Sequence, residues 1–411
     1  MAPTANKMDL VLQKHRIKMS RKPNGGVWHT LAEGDWNNSP YHFAVTVNGE
    51  EVLVNDPYAK SMTANSEQSA VIDLNSTNPV GFRDVNYSKV SKQDAIIYEL
   101  HIRDATSSKH SGVKNKGKFL GLTEKNTRNA KGFSTGLSYI SELGCTHVQL
   151  LPVQDFARVD ELHPLESYNW GYDPLYYFVP EGSYSTNANH PYLRINECKE
   201  MIQAFHEENL SVILDVVYNH VFRYEHSAFE KLVPGYYFRH HQDGVPSNGS
   251  GTGNDIATER KMVRKFILEC IDYWLTEYKV DGFRFDLMGL MDIETMQTIR
   301  ERCLQEDRPI LLLGEGWDLD TPLPPEQKAT NAQSSQLLGI SFFNDLFRDS
   351  MKGNLFEAEN VGYANGNGYY LERIAQLVSG SCHHKFGKIF SNPLQSINFV
   401  ECHDNHTLWI N

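Results

Sequence analysis

Four short clusters in this 411-residue chain combine acids, a guanidinium and imidazoles in a way that could assemble a reaction centre. The first runs from Asp215 through Val216, Val217 and Tyr218 to Asn219 and His220. The second is Gly282-Phe283-Arg284-Phe285-Asp286. The third is Gly314-Glu315-Gly316-Trp317, and the fourth is Glu401-Cys402-His403-Asp404-Asn405. Cleaving a glycosidic bond takes two carboxyl groups flanking it, one to give a proton and one to attack or to activate water. Asp286, Glu315 and Asp404 are the acids that neighbouring elements would bring together. Arg284 stands two residues before Asp286, on the same face of a strand, where a cation holds a carboxylate ionised and oriented. Each cluster alone has a plainer explanation: an Asp after a strand is often a helix N-cap, and a single His is usually a satisfied polar residue. Four clusters in succession, each behind a strand, outweigh that explanation.

The elements that must position these groups show in the apolar pattern. Strands are predicted at 95–102, 146–151, 211–217, 280–285, 309–313, 337–342 and 396–400. Helices are predicted between them. Ile195, Cys198, Ile202 and Phe205 form one apolar stripe over 192–209, and Met262, Phe266, Cys270 and Trp274 form another over 259–278; each marks one buried helix face. Apolar strands alternating with helices give a parallel sheet covered by helices. The clusters follow the C-terminal ends of strands, where barrel enzymes carry their catalytic groups. The expected fold is therefore α/β, a (β/α)8 TIM-type barrel. Seven strands are counted and the last ends at residue 400 of 411. The barrel is thus expected to be truncated after its seventh strand, with unpaired edges on the first and seventh.

Residues 24–90 read as β. Tyr41, Phe43, Val45 and Val47 alternate, Asn48-Gly49 is a favoured hairpin turn, and Val52 and Val54 continue beyond it. A further short strand is expected at Val71–Leu74 and a polar link near 86–93. This divides the chain into a small β-sandwich-like module, 1–92, and a catalytic barrel, 93–411. The segment 152–190, rich in Tyr, Pro and Gly, reads as a long functional loop.

The net charge of -12 argues against nucleic acid, whose phosphates it would repel. Neutral sugars meet no such penalty, and 20 Tyr, 20 Phe and 6 Trp offer ring faces to them, although large α/β cores are aromatic-rich too. Mean hydropathy is -0.47, and no apolar run is long enough to span a bilayer. Six cysteines without a C-x-x-C pair suggest neither a zinc site nor a redox motif, and suit a reducing compartment. The first twenty residues lack the apolar stretch of a signal peptide. A cytoplasmic location is the expectation.

In order, the four clusters match the four sequence regions of the α-amylase superfamily of glycoside hydrolases. Tyr168-Asn169-Trp170-Gly171-Tyr172-Asp173-Pro174 resembles the heptapeptide that distinguishes type I pullulanases within it. Gly26-Val27-Trp28 and Asp56-Pro57-Tyr58-Ala59 resemble parts of the glucan-binding-type N-terminal domain of debranching enzymes, so the resemblance extends over 24–409. It implies a retaining hydrolase that cleaves α-1,6 branch linkages in α-glucans such as pullulan, starch and glycogen-type dextrins. By the same resemblance Asp286 is the nucleophile, Glu315 the general acid/base and Asp404 the transition-state stabiliser. His220 and His403 would bond hydroxyls of the cleaved sugar, Tyr172 would form an aromatic platform under it, and Trp170 and Trp317 would stack on neighbouring sugars or simply pack their loops. No cofactor is implied. A structural Ca²⁺ occurs in some relatives, but no acidic loop here singles out a site. Cys402 departs from the family, which usually has a small polar residue there. Two alternatives stay open: another member of the superfamily, such as an isoamylase, a glycogen debranching enzyme or an α-1,4 amylase, which the heptapeptide disfavours; and a truncated, inactive α-glucan-binding protein, motivated by the missing end of the barrel.

Overall fold

A computed structural model describes residues 2–408 apart from 24, 85–89, 356, 358 and 383–386. The N-terminal module is built on a six-stranded sheet of β1 (Lys7–Leu12), β2 (His15–Lys18), β3 (Pro40–Val47), β4 (Glu50–Val54), β5 (Ser61–Met62) and β6 (Ser69–Ala70). Their order is β2-β1-β3-β6-β5, with β4 also pairing β3. The β3–β4 hairpin turns at Asn48 and Gly49, both at positive φ (52° and 87°), as a tight right-twisted hairpin requires. β1 and β2 were not anticipated, yet β1 lies inside the sheet between β2 and β3. The strand expected at Val71–Leu74 falls two residues earlier, at β6. A 3₁₀ turn at Leu74–Thr77 replaces its end, because the Asp73 side chain accepts from Asn75 N and diverts the backbone. Residues 86–89 of the expected polar link lie outside the described residues.

The larger part is a seven-stranded parallel sheet formed by β7 (Ile97–Leu100), β8 (His147–Leu150), β11 (Ser211–Val216), β12 (Gly282–Phe285), β13 (Leu311–Gly314), β14 (Ser341–Phe343) and β15 (Ser396–Ile397). The spatial order follows the sequence from β7 to β15. Ile97 of β7 and Ile397 of β15 pack on one interior cluster with Ile213, Leu311, Leu313 and Phe343, so the sheet curls round on itself. β7 and β15 each pair on one side among the described residues, the open edges that a barrel truncated after its seventh strand implied. The predicted sixth strand is shorter and later than expected, since residues 331–336 form a 3₁₀ turn and the ladder starts at Ser341. The long segment 152–190 is not all loop: β9 (Gln154–Phe156) and β10 (Pro174–Pro180) form an antiparallel hairpin in it.

Outside the sheet lie α1 (Pro191–Glu207), α2 (Lys261–Glu277) and α3 (Ile293–Cys303). Pro191 opens α1 at a position whose N–H would be unsatisfied anyway. Ile195, Cys198, Ile202 and Phe205 are fully buried, as are Cys270 and Trp274 of α2. The module is fastened to this body through a buried ionic cluster. Asp155, Glu161 and Glu181 bring carboxylate oxygens within 4.8 Å of one another. Arg194 supplies the cation there, with Nη2 2.7 Å from Glu161. From the module, Ser66 Oγ donates to Asp155 at 2.7 Å and Asn65 N to Glu161 at 2.9 Å.

Candidate active site

The interior ends of β11, β12 and β13 bring the first three clusters together. Register places Asp215 beside Arg284, and Arg284 beside Leu313, so Asp286 and Glu315 leave their strands side by side. Arg284 Nη1 lies 3.0 Å from Asp215 and 2.9 Å from Asp286, and its Nη2 lies 2.8 Å from Glu315. One buried guanidinium therefore grips three carboxyl groups. Asn219 Nδ2 donates to the other oxygen of Asp286 at 2.8 Å. Directly after Asp286 the chain turns sharply: Leu287 sits in the left-handed region at φ 40°, ψ 48°, which costs a branched residue roughly 1–2 kcal/mol. That turn aims Leu287 N at Glu315 Oε2, 2.9 Å away. Strain stored beside converging charges is a common mark of a functional site.

Three carboxyls against one cation in a buried place cannot all ionise cheaply. Burial pushes Asp215 up to about 7, against the opposing pull of Arg284. Burial likewise raises Glu315, with the Asp286 charge adding to it and Arg284 opposing. The Tyr172 hydroxyl is held neutral, far above its ordinary range, chiefly by burial and next by the Asp215 carboxylate that it donates to at 2.7 Å.

The fourth cluster closes the site from the other end of the sheet. The His403 ring stacks on Tyr172 (centroids 5.2 Å, planes 23° apart) and meets Trp170 edge-on at 5.2 Å. Asp404 Oδ1 lies 3.6 Å from His403 Nε2, with its side chain 46% exposed. Glu315, Arg284, Trp317, His403 and Asp404 line one cavity of about 330 Å³. Trp170 and His403 line a second cavity of about 770 Å³, which runs along β7. His220, implied by the resemblance to bond a sugar hydroxyl, lies inside the protein. It is 2% exposed; its Nδ1 meets Asn219 Oδ1 at 2.5 Å and its Nε2 meets Tyr172 O at 3.0 Å. Both nitrogens are thus engaged within the protein.

Three polar groups at the site were not singled out from the sequence. Asp215 and Asn219 stood inside a recognised cluster, but their grip on Arg284, Tyr172 and Asp286 depends on register. Glu99 was missed altogether. Its signal was present, a lone acid at the centre of the apolar run AIIYELHI, where a charge without a partner would be costly. Among the described residues no helix is long and apolar enough to cross a membrane.

Comparison with known proteins agrees with this arrangement. Residues 114–250 match the family described as the alpha amylase catalytic domain, and residues 2–59 match carbohydrate-binding module 48, the isoamylase N-terminal domain. The pullulanase of Bacillus subtilis (strain 168) is 50% identical over 388 residues, covering 93% of this chain and 53% of that protein. A crystal structure of the pullulanase from Anoxybacillus sp. LM18-11 complexed with maltotetraose superposes with a TM-score of 0.94 at 49% identity, over 99% of this chain and 59% of the other. A crystal structure of pullulanase type I from Bacillus subtilis str. 168 complexed with maltose gives 0.95 at 48% identity, over 99% and 58%. The chain thus spans little more than half the length of these relatives. With its half-barrel, its strand-end acids and its N-terminal module, the chain belongs to the α-amylase superfamily of glycoside hydrolases and has the type I pullulanases as structural neighbours.

Proposed function

We propose that the chain carries the catalytic machinery of a retaining glycoside hydrolase that cleaves α-1,6 branch linkages in α-glucans. The observation that carries this is the Arg284 guanidinium bridging Asp286 and Glu315. It holds two carboxyls close together, as a retaining pair requires, in unequal surroundings. Asp286 has Arg284 on one oxygen and Asn219 on the other, a setting for the anion that attacks the anomeric carbon. Glu315 is held up by burial, a setting for the acid that protonates the bridging oxygen and then deprotonates water. Asp404 and His403 face the same cavity and bond the hydroxyls of the sugar being cleaved. Trp317, in that cavity, and Trp170, beyond His403, are stacking surfaces for neighbouring sugars. His220 acts by position, tying Asn219 to the backbone of Tyr172. No cofactor enters this scheme.

The relatives named pullulanase, two of them crystallised with maltotetraose and with maltose, support an α-glucan as the substrate. The module-48 match supports glucan binding by the N-terminal part. We place the boundary between module and barrel at residues 92/93. A cytoplasmic location is supported by six cysteines in the thiol form. Incubation with pullulan is the test. Maltotriose as product is expected; panose-type products would instead assign α-1,4 cleavage. Glucan binding with no reducing sugar released would assign a binding protein without turnover.

The platform role of Tyr172 has its own expected result. Tyr172→Ala removes the ring that His403 stacks on and the hydroxyl that Asp215 receives. It is expected to weaken kcat/KM by about 1–3 kcal/mol, the scale of losing a buried aromatic surface. Tyr172→Phe keeps the ring and loses only the hydroxyl, so most of the activity should return. Equal kinetics for wild type and Tyr172→Ala, measured on pullulan, would reduce the ring to loop packing.

A further inference from the structure

One acidic side chain on β7 has no place in the scheme above. Glu99 is 16% exposed at its side chain and lines both cavities that His403 lines. His403 N donates to Glu99 Oε2 at 2.6 Å, and His403 Nδ1 lies 3.1 Å from Oε1. Gln149 Nε2, on the adjacent strand β8, donates to the same Oε1 at 2.8 Å. The carboxylate is therefore clamped by Gln149 and spends both oxygens on one histidine. The clamp also fastens the fourth cluster to β7, across the side where β7 and β15 do not pair.

A carboxylate can only accept, so the hydrogen between the two must sit on Nδ1. Nε2 is then the ring atom left for the cavity. It faces Asp404 Oδ1 at 3.6 Å. A neutral ring would turn a bare lone pair toward that carboxylate; a protonated ring offers it an N–H. We propose that Glu99 is a positioning residue: it fixes the Nδ1–H form of His403, keeps the ring protonated, and so presents Nε2–H to a hydroxyl of the sugar being cleaved. This rests on the assignment of His403 as a sugar-hydroxyl donor.

The charged and titratable groups around the ring fit. Burial alone would lower His403, but the Glu99 bond and charge, with Asp404 adding, outweigh both burial and the repulsion of Arg284, so the net direction is upward. Burial would raise Glu99, yet the His403 bond and charge and Arg284 bring it below its ordinary value. Tyr172, stacked on the ring, stays neutral, as does the Cys402 thiol, pushed up to about 11 by burial. Glu401 lies on the ring's own segment, and Glu315 stands across the cavity. A histidine raised in the folded state is protonated below that raised value and loses its proton, and this function, as pH rises through it.

The test is a nitrogen NMR titration of histidine-labelled protein, with the His403 signal assigned by its loss in His403→Asn. In wild type the ring should stay protonated above the ordinary histidine range of about 6.5, with the proton on Nδ1 retained when it finally titrates. Glu99→Gln should lower the His403 titration by about one unit, the low end for losing a partner charge. Glu99→Asp keeps the charge and should retain most of the rise, which separates the effect from a packing defect. On pullulan, Glu99→Gln should raise KM several-fold more than it lowers kcat, with KM rising at lower pH than in wild type as His403 loses its proton, while the fall of kcat/KM set by Glu315 stays in place. An unchanged His403 titration in Glu99→Gln would overturn the proposal, as would a loss of rate equal at every pH. The titration needs no substrate, so failure of the wild type to release maltotriose would remove the functional assignment and leave the Glu99–His403 result to stand or fall separately.

Discussion

Changing Asp286 to Asn is expected to cut pullulan turnover by roughly 10⁴-fold or more, on the order of what removal of a nucleophile costs elsewhere, while leaving glucan binding largely in place. The carboxamide keeps the shape of the side chain but cannot form a glycosyl ester. Its neighbours decide the side effects. Asp286 accepts from Arg284 on one oxygen and from Asn219 on the other. A carboxamide can accept on one side only, so its NH₂ must face either the guanidinium or the Asn219 amide. One charge-assisted bond is lost, worth about 1.5–3 kcal/mol. Part of that is offset because one of three crowded carboxylates has gone from around Arg284. The fold should therefore survive with a modestly lower denaturation midpoint. Removing the Asp286 charge also takes away a repulsion that raises Glu315, so the Glu315 titration should move down in this variant. Calorimetric titration with maltotetraose and a reducing-sugar assay would check both halves. More than trace turnover would mean that another group attacks the anomeric carbon.

The parts of the site legible in the sequence are those whose signal is local. Arg284 and Asp286 share a strand face by period-two alternation, and the stripes of α1 and α2 state which helix face is buried. Partners distant in the chain left no such signal. Glu99 and His403 are 304 positions apart, and a single Glu in an apolar strand looks the same whether it meets a ligand, a histidine or water. Asp215 and Tyr172 are joined over 43 positions, through a hairpin that was itself hidden. β9 has three residues and its register with β10 is irregular, too short and too uneven for alternation to show. The N-terminal strands were masked by Lys7 and Asp9, whose charges break up the apolar run. There Asp9 lies 3.0 Å from Lys7 and 2.8 Å from Arg16 of β2, so the ladder tolerates it. His220 shows the converse limit. Its place in a motif resembling the family's implied a bond to a sugar hydroxyl, and gave no sign that the folded chain engages both ring nitrogens.

Changing Glu315 to Gln should separate two substrate classes. A glucan leaves as an alkoxide unless its bridging oxygen is protonated, so natural substrates should lose roughly 10²–10⁴-fold, the usual worth of a positioned proton donor. A glycosyl donor whose leaving group departs as a stable anion, such as a fluoride or a nitrophenolate, needs no proton. Its first step should run at nearly the wild-type rate. The second step still needs Glu315 as base to activate water, so the glycosyl–Asp286 intermediate should accumulate, seen as a burst followed by slow release. An anionic nucleophile such as azide needs no base and should restore the second step. The pH profile gives an independent sign. Glu315 is raised by burial first and by Asp286 next, against Arg284; the acid is therefore competent below that raised value, and wild-type kcat/KM should fall as pH rises through it, above the ordinary carboxylate range. In Glu315→Gln acting on the fluoride, that fall should disappear from the first step. Should both substrate classes lose rate equally, or should azide restore nothing, the proton would be coming from elsewhere, and Asp215, pushed up to about 7 in the same cluster, would be the next group to test.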